Sequence, residues 1–352
     1  MKVFVDARWT RTDYHDGVSR YGASLITELN KIQPITVLIH DKKQLKFLPK
    51  NIQFELINHP VSIRELGLPR KLNELGADIV FSPLQYMGIW GKKYKLVLTV
   101  HDLIYYRHPK PPSYLTWPVR LVWRLFHVAF WPQRLLLNRA DAVITVSETS
   151  KKYIIQHNIT KRPVSVVYNA PSQLHVRLQK PTKRLVYMGS FMPYKNVELL
   201  IAAMEYLPDY ELCLLSRISP AREKELVTHA PKDAQISFYG GVTDKQYADA
   251  LGQCHALVTA SLEEGFGLPL IEAMQEGVPV ICSDIDIFHE VAGDAGLYFD
   301  PNAPQDFAEK VHQLEKKKTR DNLVKLGKSQ AQKFTWQKSA KVLVKTIKDI
   351  GR

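Results

Sequence analysis

Short apolar segments alternate with longer amphipathic segments along the whole chain. The apolar segments are bounded by turn-forming residues and predict β-strands, whereas the longer segments predict helices. This alternation is typical of a parallel sheet whose strands are joined by crossover helices. The predicted strands of the first half are 2–5, 35–40, 79–81, 95–100, 142–146 and 164–167. Those of the second half are 184–187, 210–215, 236–239, 256–259, 278–282 and 296–299.

The series of strands and helices restarts after Asn169, Ala170 and Pro171, a polar stretch typical of a linker. The sequence therefore predicts an α/β protein with two Rossmann-like, doubly wound domains, 1–172 and 173–333. Sheets of this kind bind ligands beyond the carboxyl ends of their strands, so two facing domains would form a cleft. A last amphipathic helix is predicted within 334–352, with its apolar residues at helical spacing.

Charge is distributed unevenly over the 352 residues. The chain has 48 Lys and Arg against 35 Asp and Glu, a formal net charge of +13. The first 172 residues carry 25 basic and 12 acidic side chains, and the remainder carries 23 of each. Basic proteins bind anionic partners, among them nucleic acids and membrane surfaces. The basic half reads as a strand–helix domain without a recognisable nucleic-acid module, so we expect no nucleic-acid partner.

Three cysteines are odd in number, unevenly spaced and set in apolar segments: Cys213, Cys254 and Cys282. We expect them to be buried, reduced thiols of a cytoplasmic protein rather than disulfides or metal ligands.

The first residues turn polar at Asp6, unlike a signal peptide. No uncharged apolar stretch of about 18 residues is present, so no membrane span is expected.

The segment 261–274, SLEEGFGLPLIEAM, carries the most specific chemical signal. It follows a predicted strand, and Gly265 and Gly267 permit a close approach of the backbone to a ligand. Pro269 fits the first turn of a helix. The backbone N–H groups of Gly267 and Leu268 would then face an anion at the start of that helix.

Glu264 and Glu272 flank this helix start. Carboxylates are suited to accept hydrogen bonds from neighbouring sugar hydroxyls on either side of a diphosphate. Two simpler interpretations remain open at this point. Glu272 would complement the helix dipole, and Glu264 would be a solvated loop residue.

Taken together, the segment resembles the signature E-G-F-G-L-P-x-x-E-A-M of the retaining glycosyltransferases of family 4. The resemblance extends over essentially the whole chain. It implies a GT-B fold, with a nucleotide-diphosphate sugar bound mainly by the C-terminal domain through Glu264, Gly265, Phe266, Gly267, Leu268 and Glu272. It also implies an acceptor site on the N-terminal domain and last helices that cross back to that domain.

Two positions of the first half match the family in order. The segment from Asp16 to Tyr21, with Gly17, resembles the glycine loop that approaches the diphosphate and the acceptor, although a lone glycine is also typical of a turn. His101 follows a predicted strand and resembles the family's histidine near the donor sugar, where it could polarise a hydroxyl. The alternative is a packed histidine without a catalytic role.

In the second half, Tyr187 to Asn196 resembles the family's phosphate-binding loop, in which Lys195 lies beside the diphosphate. Many relatives have an arginine where this chain has Ser190. Arg217, which follows the next predicted strand, could supply the missing charge or be a surface residue. Tyr239 belongs to the stretch that resembles the loop near the nucleotide base.

The resemblance implies transfer of a hexose by front-face attack, with His101, Lys195 and Glu264 as candidate catalytic residues. Basic side chains and helix ends then stabilise the leaving nucleotide, so neither a metal nor a cofactor is expected.

The form of the phosphate-binding loop favours GDP-mannose as donor. A UDP-sugar donor with a soluble acceptor is the alternative. A silent GT-B scaffold also remains open; the paired glutamates argue against an epimerase, and the short chain argues against a phosphorylase.

The segment 117–137 combines aromatic residues with Arg120, Arg124 and Arg134. Helical spacing would place Val119, Val122, Trp123, Phe126 and Phe130 on one face. Such a helix suits the interface of an anionic membrane, and the alternative is a core helix with a solvated basic side. We therefore expect an anionic or membrane-borne acceptor and peripheral contact with the cytoplasmic face of a membrane.

Overall fold

A computed structural model describes residues 1–13, 17–109, 111 and 116–351, and it divides into two units. The first unit consists of Met1–Asn169 and Thr335–Arg352. The second unit consists of Ala170–Phe334. Both boundaries lie within a few residues of the positions predicted from the sequence.

The first unit is built on a seven-stranded parallel sheet. Its strands are β1 (Val3–Asp6), β2 (Thr36–Ile39), β3 (Gln53–Leu56), β4 (Ile79–Ser82), β5 (Lys95–Val100), β6 (Ala142–Thr145) and β7 (Val164–Val166). Its helices before the linker are α1 (Gly17–Ile32), α2 (Leu68–Glu74), α3 (Ile104–Arg107), α4 (Trp117–His127), α5 (Trp131–Leu137) and α6 (Glu148–Gln156). Two 3₁₀ turns span Lys42–Phe47 and Ile63–Gly67. The strand order is β3-β2-β1-β4-β5-β6-β7.

The second unit is built on a six-stranded parallel sheet. Its strands are β8 (Arg184–Tyr187), β9 (Glu211–Leu214), β10 (Gln235–Phe238), β11 (Ala256–Thr259), β12 (Val280–Ser283) and β13 (Gly296–Phe299). Its helices are α7 (Val197–Ala203), α8 (Pro220–Thr228), α9 (Asp244–Gln253), α10 (Leu268–Glu276), α11 (Asp286–Ala292), α12 (Pro304–Gln313) and α13 (Lys317–Ala331). Three 3₁₀ turns span Pro193–Lys195, Met204–Tyr206 and Gly293–Ala295. The strand order is β10-β9-β8-β11-β12-β13.

The central strands are buried on both faces, as expected of a parallel sheet covered by helices. In the first unit, Val5 pairs with Val37 on one side and with Phe81 on the other, and all three are fully buried. Each of the twelve predicted strands is present to within two residues at either end, which confirms the predicted fold class. The sequence missed β3, an edge strand whose residues Phe54 and Leu56 are 40% and 49% exposed.

The single helix expected over 117–137 is two helices, α4 and α5. Pro132 is at the start of α5, where its missing N–H costs no helical hydrogen bond, whereas inside a continuous helix it would break one. The break also divides the predicted shared face, because Phe130 lies outside α4 at the start of α5. Val119 and Val122 are exposed, and Trp123 and Phe126 are half-buried.

The burial expected of Cys213, Cys254 and Cys282 is confirmed. Burial raises the pKa of the Cys213 thiol to about 11 and that of Cys254 to about 12, so both are neutral thiols near pH 7. Among the helices that the structure describes, none has the length and hydropathy needed to cross a membrane.

The chain ends in helix α14 (Trp336–Gly351), which packs against α1 within the first unit. The Ser339 hydroxyl donates to the Tyr168 carbonyl oxygen at 2.7 Å. Farther along the helix, the Thr346 hydroxyl donates to the Ser165 hydroxyl at 2.9 Å. Leu343 is fully buried in this contact.

Replacing Leu343 by Ala should reduce the free energy of unfolding of the first unit by about 2–5 kcal/mol, because the change leaves a cavity under α14. Val342→Ala is the matched control, since Val342 is the adjacent residue and is 39% exposed. Urea denaturation followed by circular dichroism measures both variants. Equal midpoints for the two variants would contradict the packing of α14 on the first unit.

Candidate functional site

The strand order of the second sheet reverses between β8 and β11. From β8 the chain continues outward to β9 and β10, and it then returns to add β11 on the other side of β8. The loops that leave the carboxyl ends of β8 and β11 therefore diverge and leave a crevice, the usual ligand position in doubly wound sheets. Both loops contain residues singled out from the sequence.

Lys195 and Glu264 form an ion pair across these two loops. Their side chains are only 13% and 15% exposed. The Ser261 hydroxyl donates to Glu264 Oε1 at 3.1 Å, and the backbone N–H of Leu262 donates to the Tyr194 carbonyl oxygen at 2.8 Å. Glu264 is thus a partly buried, paired carboxylate, and its interpretation as a solvated loop residue is wrong.

The loop after β8 is held by short hydrogen bonds. The Tyr187 hydroxyl donates to the Ser190 carbonyl oxygen at 2.6 Å, and burial holds the pKa of Tyr187 well above its usual value. The backbone N–H of Gly189 donates to the Ser216 hydroxyl at 3.0 Å. Asn196 ends the loop in the left-handed region, with φ of 51°, and its amide donates to the Pro301 carbonyl oxygen at 2.8 Å.

Helix α10 begins at Leu268, directly after Gly267. Gly267 has a φ of +98°, and a Cβ added there would lie 3.0 Å from the Phe288 ring. Both facts favour glycine at this position. No side chain caps the start of α10, and Pro269 occupies its first turn as predicted. Among the described residues, the first backbone N–H groups of α10 are therefore left without a side-chain cap, an arrangement that suits an anion.

Glu272 lies beyond the first turn of α10 and is 4% exposed. Because the effect of the helix dipole falls off within the first turn, this position disfavours the interpretation of Glu272 as a partner of the dipole. Gly265 and Phe266 precede the helix and are buried, and the Phe266 ring packs edge-on against Phe334 at 5.5 Å.

Arg217 follows β9 and Tyr239 follows β10. These two strands lie on the side of β8 away from β11. Arg217 is exposed and lies against Gly241, where an added Cβ would be 2.6 Å from the arginine Cγ. Tyr239 is 48% exposed, and its backbone N–H donates to the Leu214 carbonyl oxygen at 3.0 Å. The structure thus brings Arg217 to the loop that follows Tyr239.

The remaining candidates, Gly17 and His101, belong to the first unit. Gly17 is the first residue of α1, and Asp16 lies outside the described residues. His101 follows β5, and its Nε2 lies 2.8 Å from the Pro83 carbonyl oxygen. Because a carbonyl oxygen only accepts, Nε2 carries the proton. The ring also packs edge-on against Tyr21 at 4.9 Å.

The sequence missed a buried charge cluster at the switch point of the first sheet. Arg8 follows β1 and donates to both carboxylate oxygens of Asp6, at 2.8 and 2.9 Å. It also donates to Glu65 at 2.6 and 3.1 Å, and the backbone N–H of Gly88 donates to the same carboxylate at 2.9 Å. The carboxylates raise the pKa of Arg8 against the opposing effect of its burial. A basic residue three positions after a predicted strand was the available signal.

Sequence profiles of two glycosyltransferase families match the chain. The profile described as Glycosyltransferase Family 4 matches residues 17–170, and that of Glycosyl transferases group 1 matches residues 174–330. The O-antigen chain mannosyltransferase RfbU of Salmonella typhimurium is 26% identical over 85% of this chain and 87% of its own length. The O-antigen chain mannosyltransferase B of Escherichia coli is 30% identical over 69% of this chain and 67% of its own.

Solved structures of the same architecture superpose on the whole chain. Sucrose-phosphate synthase of Thermosynechococcus elongatus has a TM-score of 0.75 at 17% identity, covering 99% of this chain and 98% of its own. HepE of Anabaena, solved with UDP and glucose, has a TM-score of 0.73 at 18% identity, covering 99% of both chains. These likenesses and the two profiles confirm the expected family and the GT-B fold. The chain is therefore an enzyme of the family 4, group 1 glycosyltransferases.

Proposed function

We propose that the protein is a retaining hexosyltransferase that uses a nucleotide-diphosphate sugar, with GDP-mannose favoured. Its acceptor is a hydroxyl of a glycolipid, a lipid-linked glycan or a polysaccharide. The observation that carries the proposal is the Lys195–Glu264 pair at the switch point of the second sheet, beside the uncapped start of α10. An ammonium group and a helix start suit a diphosphate, and a carboxylate suits sugar hydroxyls.

Donor binding would exchange the partners of this pair. The diphosphate would take Lys195 and the backbone N–H groups at the start of α10, and hydroxyls of the donor sugar would take Glu264. Ser261 already donates to Glu264 and would keep that carboxylate oriented. Glu272 is buried about one turn beyond Leu268, the first residue of α10. We assign Glu272 to the end of the donor opposite the sugar that Glu264 would bind.

The reaction would proceed by front-face attack. The acceptor oxygen forms a bond to the anomeric carbon on the side where the bond to the diphosphate oxygen breaks. The acceptor proton passes to the departing phosphate oxygen, so the enzyme contributes positioning and stabilisation of the developing negative charge. Lys195 is the candidate for that stabilisation, with Arg217 as a second positive charge near the base loop. His101 would orient a sugar hydroxyl from the first unit.

The relatives favour a mannosyl donor and a glycan acceptor. Two of them are named O-antigen chain mannosyltransferases. HepE was solved with UDP and glucose, and this keeps a UDP-sugar donor as the alternative. No metal or cofactor enters the proposed mechanism, because the basic side chain and the helix start supply the positive charge.

An anionic membrane surface is the proposed location of the acceptor. Helix α4, the residue that follows it and the start of α5 expose Trp117, Val122, Leu125, Val128 and Trp131, each at least 64%. Arg120 and Arg124 lie on the same helix. Exposed apolar side chains next to arginines suit the interface of an anionic bilayer, where each Arg near the surface contributes about 1 kcal/mol.

Lys195→Ala should lower the rate of sugar transfer by about 10²–10³-fold, because the departing diphosphate loses a preorganised positive charge. Lys183→Ala is the matched control, since Lys183 lies in the same unit and pairs with Asp209 on the surface. Transfer of radiolabelled sugar to membrane extract measures activity, and circular dichroism checks the fold. Near-normal turnover of a folded Lys195→Ala variant would remove Lys195 from the mechanism.

GDP and GDP-mannose should raise the melting temperature of the protein more than UDP at equal concentration. A ligand at 100 times its dissociation constant adds about 2.7 kcal/mol to the free energy of unfolding. Differential scanning fluorimetry with a panel of nucleotides measures the shift. A larger shift with UDP would favour the alternative donor, and the absence of any shift would favour a silent scaffold.

Vesicles that contain phosphatidylglycerol should sediment the protein, and phosphatidylcholine vesicles should not. The double variant Arg120→Glu/Arg124→Glu should bind at least about tenfold more weakly, since each Arg contributes about 1 kcal/mol. Arg70→Glu is the control, because Arg70 is an exposed arginine of α2. Binding that ignores lipid charge and salt would contradict the proposed membrane surface.

A further inference from the structure

A cavity of about 200 Å³ lies in the first unit at the carboxyl end of its sheet. It is formed by the loop after β4, the end of β5 and the helices α3, α4 and α5. Its lining includes four aromatic side chains and two amides: Tyr86, Tyr105, Tyr106, Trp123, Gln85 and Gln133. We call it the aromatic pocket. Sites for drug-sized ligands measure about 300–1,000 Å³, so this volume suits a single small ring.

A chain of hydrogen bonds fixes the polar side of the aromatic pocket. Gln133 is 1% exposed, and its amide N–H donates to Gln85 Oε1. The Tyr106 hydroxyl donates to Gln133 Oε1 at 3.3 Å, and Gln85 Nε2 donates to the Tyr86 hydroxyl at 3.1 Å. Within the described ranges, these bonds use one N–H of each amide. Each amide therefore keeps a second N–H for a ligand.

The aromatic side of the pocket is also ordered. The rings of Tyr105 and Trp123 pack edge-on with their centroids 4.7 Å apart, and Trp123 lies 4.4 Å from the His127 ring. Trp123 Nε1 is buried and has no hydrogen-bond partner among the residues that the structure describes. Burial raises the pKa of Tyr86 and Tyr106, so both hydroxyls stay neutral. Buried indole N–H groups usually have a partner.

We propose that the aromatic pocket binds a hexopyranose ring of the acceptor. This inference rests on the proposed function, with the acceptor on the first unit as the family resemblance implies. The C–H face of the sugar would pack on Trp123 and the tyrosines, and the amides of Gln85 and Gln133 would bind its hydroxyls. His101 lines the same pocket, so a bound sugar would lie within reach of this candidate catalytic residue.

The polar groups favour a sugar over the alkyl chain of a lipid. An alkyl chain would fill the pocket and remove water from the amide N–H groups without replacing the lost hydrogen bonds. Leaving a buried donor unsatisfied is costly, and Gln133 is almost fully buried. A sugar presents an apolar face and hydroxyl edges together, which matches both sides of the pocket.

The test uses methyl α-D-mannopyranoside as the probe, the full-length protein and no donor. Ligand-observed saturation-transfer NMR measures the dissociation constant. Trp123→Leu and Gln133→Leu should each weaken binding about tenfold, since one loses the ring contact and the other the amide. Trp117→Leu should bind as the wild type, because Trp117 lies on the same helix but is 75% exposed. Trp123→Phe keeps a ring and should lose less than Trp123→Leu.

Unchanged sugar binding in Trp123→Leu and Gln133→Leu would overturn the proposal. If the wild-type protein binds 1-octanol and does not bind the sugar, the proposal is also overturned, and the pocket is then a site for an alkyl ligand. The GDP melting shift of the same preparations separates this proposal from the proposed function. A normal GDP shift without sugar binding overturns the pocket alone. Sugar binding without a shift from any nucleotide overturns the proposed function and leaves a sugar-binding pocket that is not an acceptor site.

Discussion

The reversal of strand order between β8 and β11 is the constraint on which the site of the second unit depends. Two loops leave adjacent parallel strands in opposite directions there, and two residues 69 positions apart meet at that edge. Lys195 and Glu264 meet at this point with little exposure. Each would be costly to desolvate alone, and their mutual attraction offsets part of that cost.

This pairing limits what can bind there. A ligand that took only Lys195 would leave the Glu264 carboxylate partly buried and without its counter-charge. A ligand that offers an anion to Lys195 and hydroxyls to Glu264 satisfies both. A nucleotide-diphosphate sugar has this combination, and a free phosphate does not. The ion pair therefore favours the complete proposed donor over its fragments.

The first unit fixes its own switch point with charge. Arg8 joins the end of β1 to Glu65, and Glu65 in turn holds the backbone of Gly88 in the loop after β4. Arginine suits this role because its planar fork can donate to two carboxylates at once. The loop after β4 also forms part of the lining of the aromatic pocket. The cluster of Arg8, Asp6 and Glu65 therefore helps to preorganise that part of the pocket.

Local pattern was sufficient to predict the strands, because buried parallel strands are continuous apolar runs. The local pattern missed β3, whose side chains are mostly exposed. It also predicted one helix across Pro132, because the apolar residues keep a helical spacing although α4 and α5 are separate helices. The signature around Glu264 predicted Gly267 and the start of α10, since these depend on neighbours in sequence. The Lys195–Glu264 pair and the aromatic pocket combine distant segments, and no spacing within the sequence encodes such contacts.

Net charge and local charge act at different ranges in this protein. The stretch 173–300 has 10 basic and 18 acidic side chains, yet it contains the proposed site for an anionic donor. Exposed charges are screened beyond about 8–10 Å at physiological salt, whereas a half-buried ammonium and a helix start act on contact. Donor binding should therefore depend weakly on the charge of its unit. The excess of 13 positive charges in the first half should instead act on the proposed anionic surface, where many weak contacts add and salt weakens them together.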